Sequence, residues 1–202
     1  IHNRVRRQLQ MCIRDSYLSA TKSAELLFSH LSSDIKFCDI DVSNVFTGVT
    51  SMKNMFEGTK EWSDGIQHVT WNQLKTGDVT DMESVFQDTD LDIDIDSWDT
   101  SKVTTMKNMF LNNEKFNKNL LNWDTGNVQD MESMFENAIK FNKDLSAWDT
   151  SKVTTMKNMF KMPLKENGKP EHGDFDKTIH TWNFELVTSM AVSYTHLTLP
   201  TN

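Results

Sequence analysis

The triplet Asp124-Thr125-Gly126 is the residue set with which aspartic proteases hold a catalytic carboxylate. That chemistry needs two carboxylates facing each other across a strained apolar turn and sharing one proton. Here the triplet is one filling of a recurring slot, which Asp99-Thr100-Ser101 and Asp149-Thr150-Ser151 fill elsewhere. Recurring slots lie in a row rather than opposite one another, so an Asx-type turn is the expected role. A second candidate is Asp90, Asp92, Asp94 and Asp96, alternating with Leu91, Ile93 and Ile95. Period two places the carboxylates on one strand face, where a hard cation such as calcium could bind. The EF-hand pattern fails, because Ile95 stands where glycine is needed and Ser101 where glutamate is needed. A solvated acidic edge that resists strand-on-strand aggregation is the expected role, with calcium as the alternative. His172 and His180 are too few and too loosely spaced for zinc. No phosphate-binding glycine loop and no Ser/His/Asp or Cys/His signature is present. The sequence therefore predicts no catalytic residue and no cofactor.

What positions these residues is an internal repeat. Trp98–Phe110 reads WDTSKVTTMKNMF, and Trp148–Phe160 is identical. Between them lies Trp123–Phe135, WDTGNVQDMESMF, so the three tryptophans are 25 residues apart. A looser copy, Lys75–Phe86, has Trp71 just upstream, and Gly48–Phe56 precedes it. The copy at Trp182–Met190 arrives 34 residues after Trp148. The extra residues are assigned to 162–181, whose Pro163, Gly168, Pro170 and Gly173 read as a surface loop. Self-similarity at such a period marks a stacked array.

Within one unit, Val103, Met106, Met109 and Phe110 follow an i, i+3, i+6, i+7 spacing that predicts one apolar helical face. The same slots hold Val128, Met131, Met134 and Phe135, then Val153, Met156, Met159 and Phe160. Helices are expected near 52–58, 81–88, 105–112, 130–138 and 155–161. Thr104 can cap one of them, and Thr80-Asp81-Met82-Glu83 fits a capping box. A short strand is expected around Leu145–Trp148. The fold class is thus an α/β repeat, with a short strand and a short helix in each unit of about 25 residues. Ser23–Leu31 predicts a helix and Ile35–Ile40 a strand, together a cap or decayed repeat over 17–44. Trp98, Trp123 and Trp148, with Trp71 and Trp182, are expected as core fillers whose indole N–H groups find carbonyls. The alternative is an exposed aromatic row for stacking sugars. The paired methionines are expected as packing rather than as a groove for partner helices. Asn117 and Asn142 are expected to hydrogen-bond backbone between units. A lone unit cannot offset the entropy of ordering its own backbone, so stacking is required.

The W-[DN]-T-[SG]-x-V-x-x-M-x-x-M-F unit, with F-N-x-x-L following, resembles the BspA family of leucine-rich-repeat-like surface proteins. These include repetitive lipoproteins of mycoplasmas and wall-anchored proteins of Gram-positive bacteria. The resemblance covers about residues 45–190. It implies a right-handed, leucine-rich-repeat-like solenoid, a cell-surface or secreted location, and a role in adhesion or protein interaction. It implies no catalytic residues. The long insert and the sparse first repeats depart from the family pattern.

The ends read differently. Arg6–Asp15 and Val192–Thr201 read like translations of opposite strands of one DNA stretch, since codons can be chosen that match nine of ten positions in antisense. Only Leu9 against Thr198 fails. Residues 1–16 and 192–202 are therefore expected to be sequencing-adapter translation, which leaves an array at 45–191. Setting aside Arg4, Arg6, Arg7, Arg14 and Asp15, net +3, takes the formal charge from −8 to −11. Such an acidic surface repels phosphate backbones, so nucleic acid is not an expected partner. Without Cys12, Cys38 has no partner for an internal disulfide. No apolar run is long enough to span a bilayer. The expectation is a non-catalytic extracellular scaffold that binds a protein or cell-surface ligand, with a passive spacer as the alternative.

Overall fold

The computed structural model describes residues 23–26, 28–29, 46–60, 71–164 and 173–190. The expected adapter segments, the strand at Ile35–Ile40 and His172 lie outside them. Successive units lie side by side in parallel register. Single bridges link Ser23 to Ser51, Ser51 to Asp81, Asp81 to Thr105, Thr105 to Asp130, Asp130 to Thr155 and Thr155 to Ser189. The segment from Ser23 takes the same place as the later units: Ala24 donates to the Ser51 carbonyl and Phe28 to that of Met55, both at 2.8 Å.

The segments expected as helices are chains of turns. Among the described residues the sole helical element is a single 3-10 turn, Trp71–Gln73. The reason is two left-handed residues in most units. Leu26, Asn54, Ser84, Asn108, Ser133 and Asn158 share one position, with φ from 53 to 58°. Gly58, Asp88, Asn112 and Asn137 share the next, four residues on, with φ from 56 to 67°. A left-handed residue stops an α-helix, and Asn, Ser, Asp and Gly are among the residues that tolerate that region best.

Backbone N–H groups then alternate between two kinds of acceptor. Met52, Asn54, Phe56 and Gly58 each donate at 2.9 Å to the next unit, to Asp81, Glu83, Val85 and Gln87. Met55, Glu57 and Thr59 donate back to the third residue before them. The N–H left between, that of Lys53, goes to the Ser51 hydroxyl. The expected capping box is replaced by this scheme. Asp81 accepts the N–H of Glu83 through its side chain, and the Thr104 hydroxyl donates to the Thr80 carbonyl. The strand expected at Leu145–Trp148 is also a turn, closed by Trp148 N–H to the Leu145 carbonyl at 3.1 Å. Inter-unit pairing thus runs through the segment whose apolar spacing suggested a helix.

The core is columnar. Phe28, Phe56, Phe86, Phe110, Phe135 and Phe160 stack in one file, with centroids 5.2–5.6 Å apart and planes within 13°. Phe116, Phe141 and Phe175 form a second file at 6.0 Å. Trp123, Trp148 and Trp182 form a third at 6.2–6.3 Å. Each indole N–H crosses to the preceding unit: Trp98 to the Trp71 carbonyl, Trp123 to Ile95, Trp148 to Leu120 and Trp182 to Leu145. Trp71 itself is out of phase with this file. Its carbonyl does what Ile95, Leu120 and Leu145 do, and Leu74 closes the turn that Trp98 closes one unit later.

The insert is also shorter than the expected 162–181. Phe175 already occupies the second phenylalanine file, and Asp176 N–H meets the Asn142 side chain at 3.2 Å. Residues 175–181 are therefore back in register, and the additional chain lies between Met162 and Phe175.

Candidate interaction face

Two classes of side chain recur in every regular unit, those consumed in holding units together and those left facing solvent. The first class takes in nearly all the candidates that the sequence raised. Trp98, Val103, Met106, Met109 and Phe110 are buried, as are Trp123, Val128, Met131, Met134 and Phe135. So are Trp148, Val153, Met156, Met159 and Phe160. Rings placed this way present no face to a sugar, and the methionines line no open groove.

The Asp-Thr-Gly triplet divides its labour. Thr76, Thr100, Thr125 and Thr150 are buried, and each hydroxyl donates to a carbonyl of the next unit, Asp99, Asp124, Asp149 or Asn183, at 2.9–3.0 Å. The aspartates stay outside as Asx turns. Asp99 accepts from Ser101, Asp124 from Gly126 and Asp149 from Ser151. The Ser101 hydroxyl and N–H hold the Asp99 carboxyl below the usual aspartate range. The Ser151 N–H and hydroxyl do the same for Asp149. These are stabilised anions, the opposite of two carboxylates sharing a proton.

The run Asp90, Asp92, Asp94 and Asp96 turns its carboxylates outward over buried Leu91 and Ile95. Each already has a partner. Asp90 pairs with Lys115 at 2.9 Å and Asp92 with Lys118 at 3.0 Å. Asp92 also accepts the Asn117 N–H, and Asp96 accepts the N–H and side-chain amide of Asn122. Asp94 accepts the Asp96 N–H. Among the described residues no three His, Cys, Asp or Glu side chains converge to hold a metal ion. The neighbouring hollow of about 330 Å³, lined by Asn72, Asp94, Asp96, Ser97, Lys118, Asn119 and Asn122, is polar and open. His180 is exposed.

Amide side chains form two further files. Asp92, Asn117 and Asn142 each accept the N–H of the residue one unit on, Asn117, Asn142 and Asp176. Asn112 donates to Asp88, and Asn137 to Asn112, both at 2.7 Å. The second file was legible in the sequence as Asp, Asn and Asn at one phase, but a helical reading assigns those positions no role.

The surface beside the bridges is exposed, although the hydroxyls of Thr80, Thr104, Thr154 and Thr188 on it donate to the carbonyls of Thr50, Thr80, Gln129 and Thr154. Thr50, Thr80, Thr104, Gln129, Thr154 and Thr188 form an exposed row, one residue before each bridge position. Each successive N–H of this row bonds the preceding carbonyl, as from Thr104 to Thr80 at 2.9 Å and Gln129 to Thr104 at 2.8 Å. The row is thus rigidly spaced by backbone. Two residues past each bridge lies a second row, Glu25, Lys53, Glu83, Lys107, Glu132 and Lys157. Lys53 pairs with Glu83, and Lys107 with Glu132, each at 2.8 Å. These hydrogen bonds raise the lysines above their ordinary range, and Lys107 draws Glu132 down. The face therefore carries hydroxyls and paired ions at regular intervals.

Among the described residues no helix is long and apolar enough to cross a membrane. No curated protein and no solved structure matches the chain. One family model matches it twice, over residues 24–91 and 50–173, which together take in most of the sequence and nearly the whole ladder. The chain belongs to the family described as Mycoplasma protein of unknown function, DUF285.

Proposed function

We propose that the protein is a non-catalytic repeat scaffold at a bacterial cell surface, binding a protein or cell-surface ligand through its bridge-side face. The fold we propose is a solenoid of the leucine-rich-repeat-like kind, right-handed as in the BspA family that the repeat resembles. The observation that carries the functional reading is the exposed row from Thr50 to Thr188. It is displayed at one-unit spacing by a backbone ladder that the threonine hydroxyls reinforce, and its side chains stay exposed where the packing residues are buried. Repeat arrays bind through extended, regularly built surfaces of this kind. The alternative is a passive spacer that projects another domain and has no ligand of its own.

The two readings separate in a binding experiment. The full chain, fluorescently labelled, is titrated onto intact bacterial and animal cells, beside a variant carrying Thr104→Lys and Thr154→Lys. Both side chains are exposed and each gives up one hydrogen bond, to the Thr80 or the Gln129 carbonyl, so the variant should stay folded with a melting temperature only slightly below wild type. Saturable binding that the variant loses is the expected result. Absence of saturable binding, or binding that the variant retains, rejects the bridge-side face.

A further inference from the structure

The charged row is not simply repeated; it alternates. Reading along the ladder the signs are Glu25, Lys53, Glu83, Lys107, Glu132, Lys157. From Ser51 to Thr155 two neighbouring positions alternate with it. The bridge residue is Ser or Thr in lysine units (Ser51, Thr105, Thr155) and Asp in the two inner glutamate units (Asp81, Asp130), while the outer unit of Glu25 bridges through Ser23. The first left-handed corner is Asn54, Asn108 and Asn158 in the lysine units, Ser84 and Ser133 in the two inner glutamate units, and Leu26 in the unit of Glu25. The long identical stretches, Trp98–Phe110 and Trp148–Phe160, stand fifty residues apart, which is two units rather than one.

We infer that the unit of assembly in this array is a pair of coils, and that the alternating Lys/Glu row sets which coil can lie on which. The aromatic and hydroxyl files cannot make this choice. Phe110 and Phe135 are interchangeable as stacking partners, and so are Thr100 and Thr125 as donors, so a slip by one unit leaves the core satisfied. The same slip sets lysine on lysine, glutamate on glutamate, and Asp81 against Asp130. Like charges directly opposite across paired strands are unfavourable. Here they would sit between half-buried side chains, 26–39% exposed, rather than at free tips. Glu132 shows the arrangement most fully, with Lys107 at 2.8 Å on one side and Lys157 at 4.0 Å on the other. A strand array is prone to slippage wherever its register is weakly specified. The alternation restricts allowed shifts to steps of two.

The test uses one pair of substitutions in two backgrounds. Deleting residues 105–129 removes a single coil and joins Thr104 to Asp130 with the spacing of the intact chain. It brings Glu83 against Glu132. The exchange Glu132→Lys with Lys157→Glu cures that clash in the deleted chain. In the full chain the same exchange creates a clash with Lys107. The melting temperature should therefore fall by about 2–4 °C in the full chain and rise by about as much in the deletion. Both shifts should shrink in 1 M salt, where screening reaches only about 3 Å. Should the single deletion fail to fold, folding of its exchanged form supports the inference equally. A shift of the same sign in both backgrounds, or no fall in the full chain, overturns it.

Discussion

The units between Asp81 and Thr155 and the unit that runs from Thr155 to Ser189 solve one problem with different lengths of chain. Bridge residues are 24 or 25 positions apart in the first group and 34 in the second. Yet Thr188 N–H reaches the Thr154 carbonyl at 2.8 Å, as Thr154 reaches Gln129. Phe175 stacks on Phe141 at 6.0 Å with planes 9° apart, the same geometry as Phe141 on Phe116. The comparison shows where specification resides. The bridge side and the aromatic files fix a unit in place, and the return path absorbs whatever length is left over. Loop-closure entropy grows only slowly with length, which makes such tolerance cheap.

The largest effect should come from the middle of the files. Phe135 touches Phe110, Phe160 and Phe141, whereas Phe175 touches Phe141 and Phe160 beside the insert. Phe135→Ala should cost about 3–5 kcal/mol in urea unfolding and Phe175→Ala clearly less. Equal losses would mean that the long unit is as tightly held as the regular ones. Next, removing residues 164–172 restores the 25-residue interval and leaves Phe175 in phase. Stability should change by less than about 1 kcal/mol. A loss of several kcal/mol would show that the extra chain is part of the core rather than of the return path.

The smallest effect is electrostatic. Asp99 and Asp149 have carboxyls held below the ordinary aspartate range by their serine neighbours. A depressed folded-state pKa adds stability above the unfolded-state value, and that stability disappears as pH falls through the folded-state value. The melting temperature should thus drop below the usual aspartate range, with a shallower drop in Asp99→Asn and Asp149→Asn. Because both groups are largely exposed, the difference should be small. Superimposable acid limbs would remove the role given to these turns.

Much of the packing was legible in the residues. A tryptophan, valine, two methionines and a phenylalanine recurring every 25 positions had to share an interior, and they do. Asparagines at 117 and 142 read as inter-unit hydrogen bonders, and their side chains meet the next unit's backbone. The local structure was less legible, for a physical reason. Spacing of i, i+3, i+6, i+7 puts side chains on one face of a helix, but a chain with left-handed corners at the third and seventh positions after the bridge turns the same residues inward. The discriminating signal was polar: Asn54, Asn108 and Asn158 at one corner, and Gly58, Asn112 and Asn137 at the other. Trp71 misled because the residue type matched while the phase did not, since Leu74 occupies the tryptophan slot of that unit. The insert read as too long because composition marks prolines and glycines, not the point where stacking resumes.

Every bridge in the ladder joins a unit to its immediate neighbour and to nothing farther. In folding terms, each addition closes a loop of about the same size onto a template already in place. The entropy lost at each step stays constant however many units have gone before. Relative contact order, which slows most β-rich proteins as their strands pair across the chain, therefore falls as such an array lengthens. A chain of this design can gain length without gaining topological difficulty.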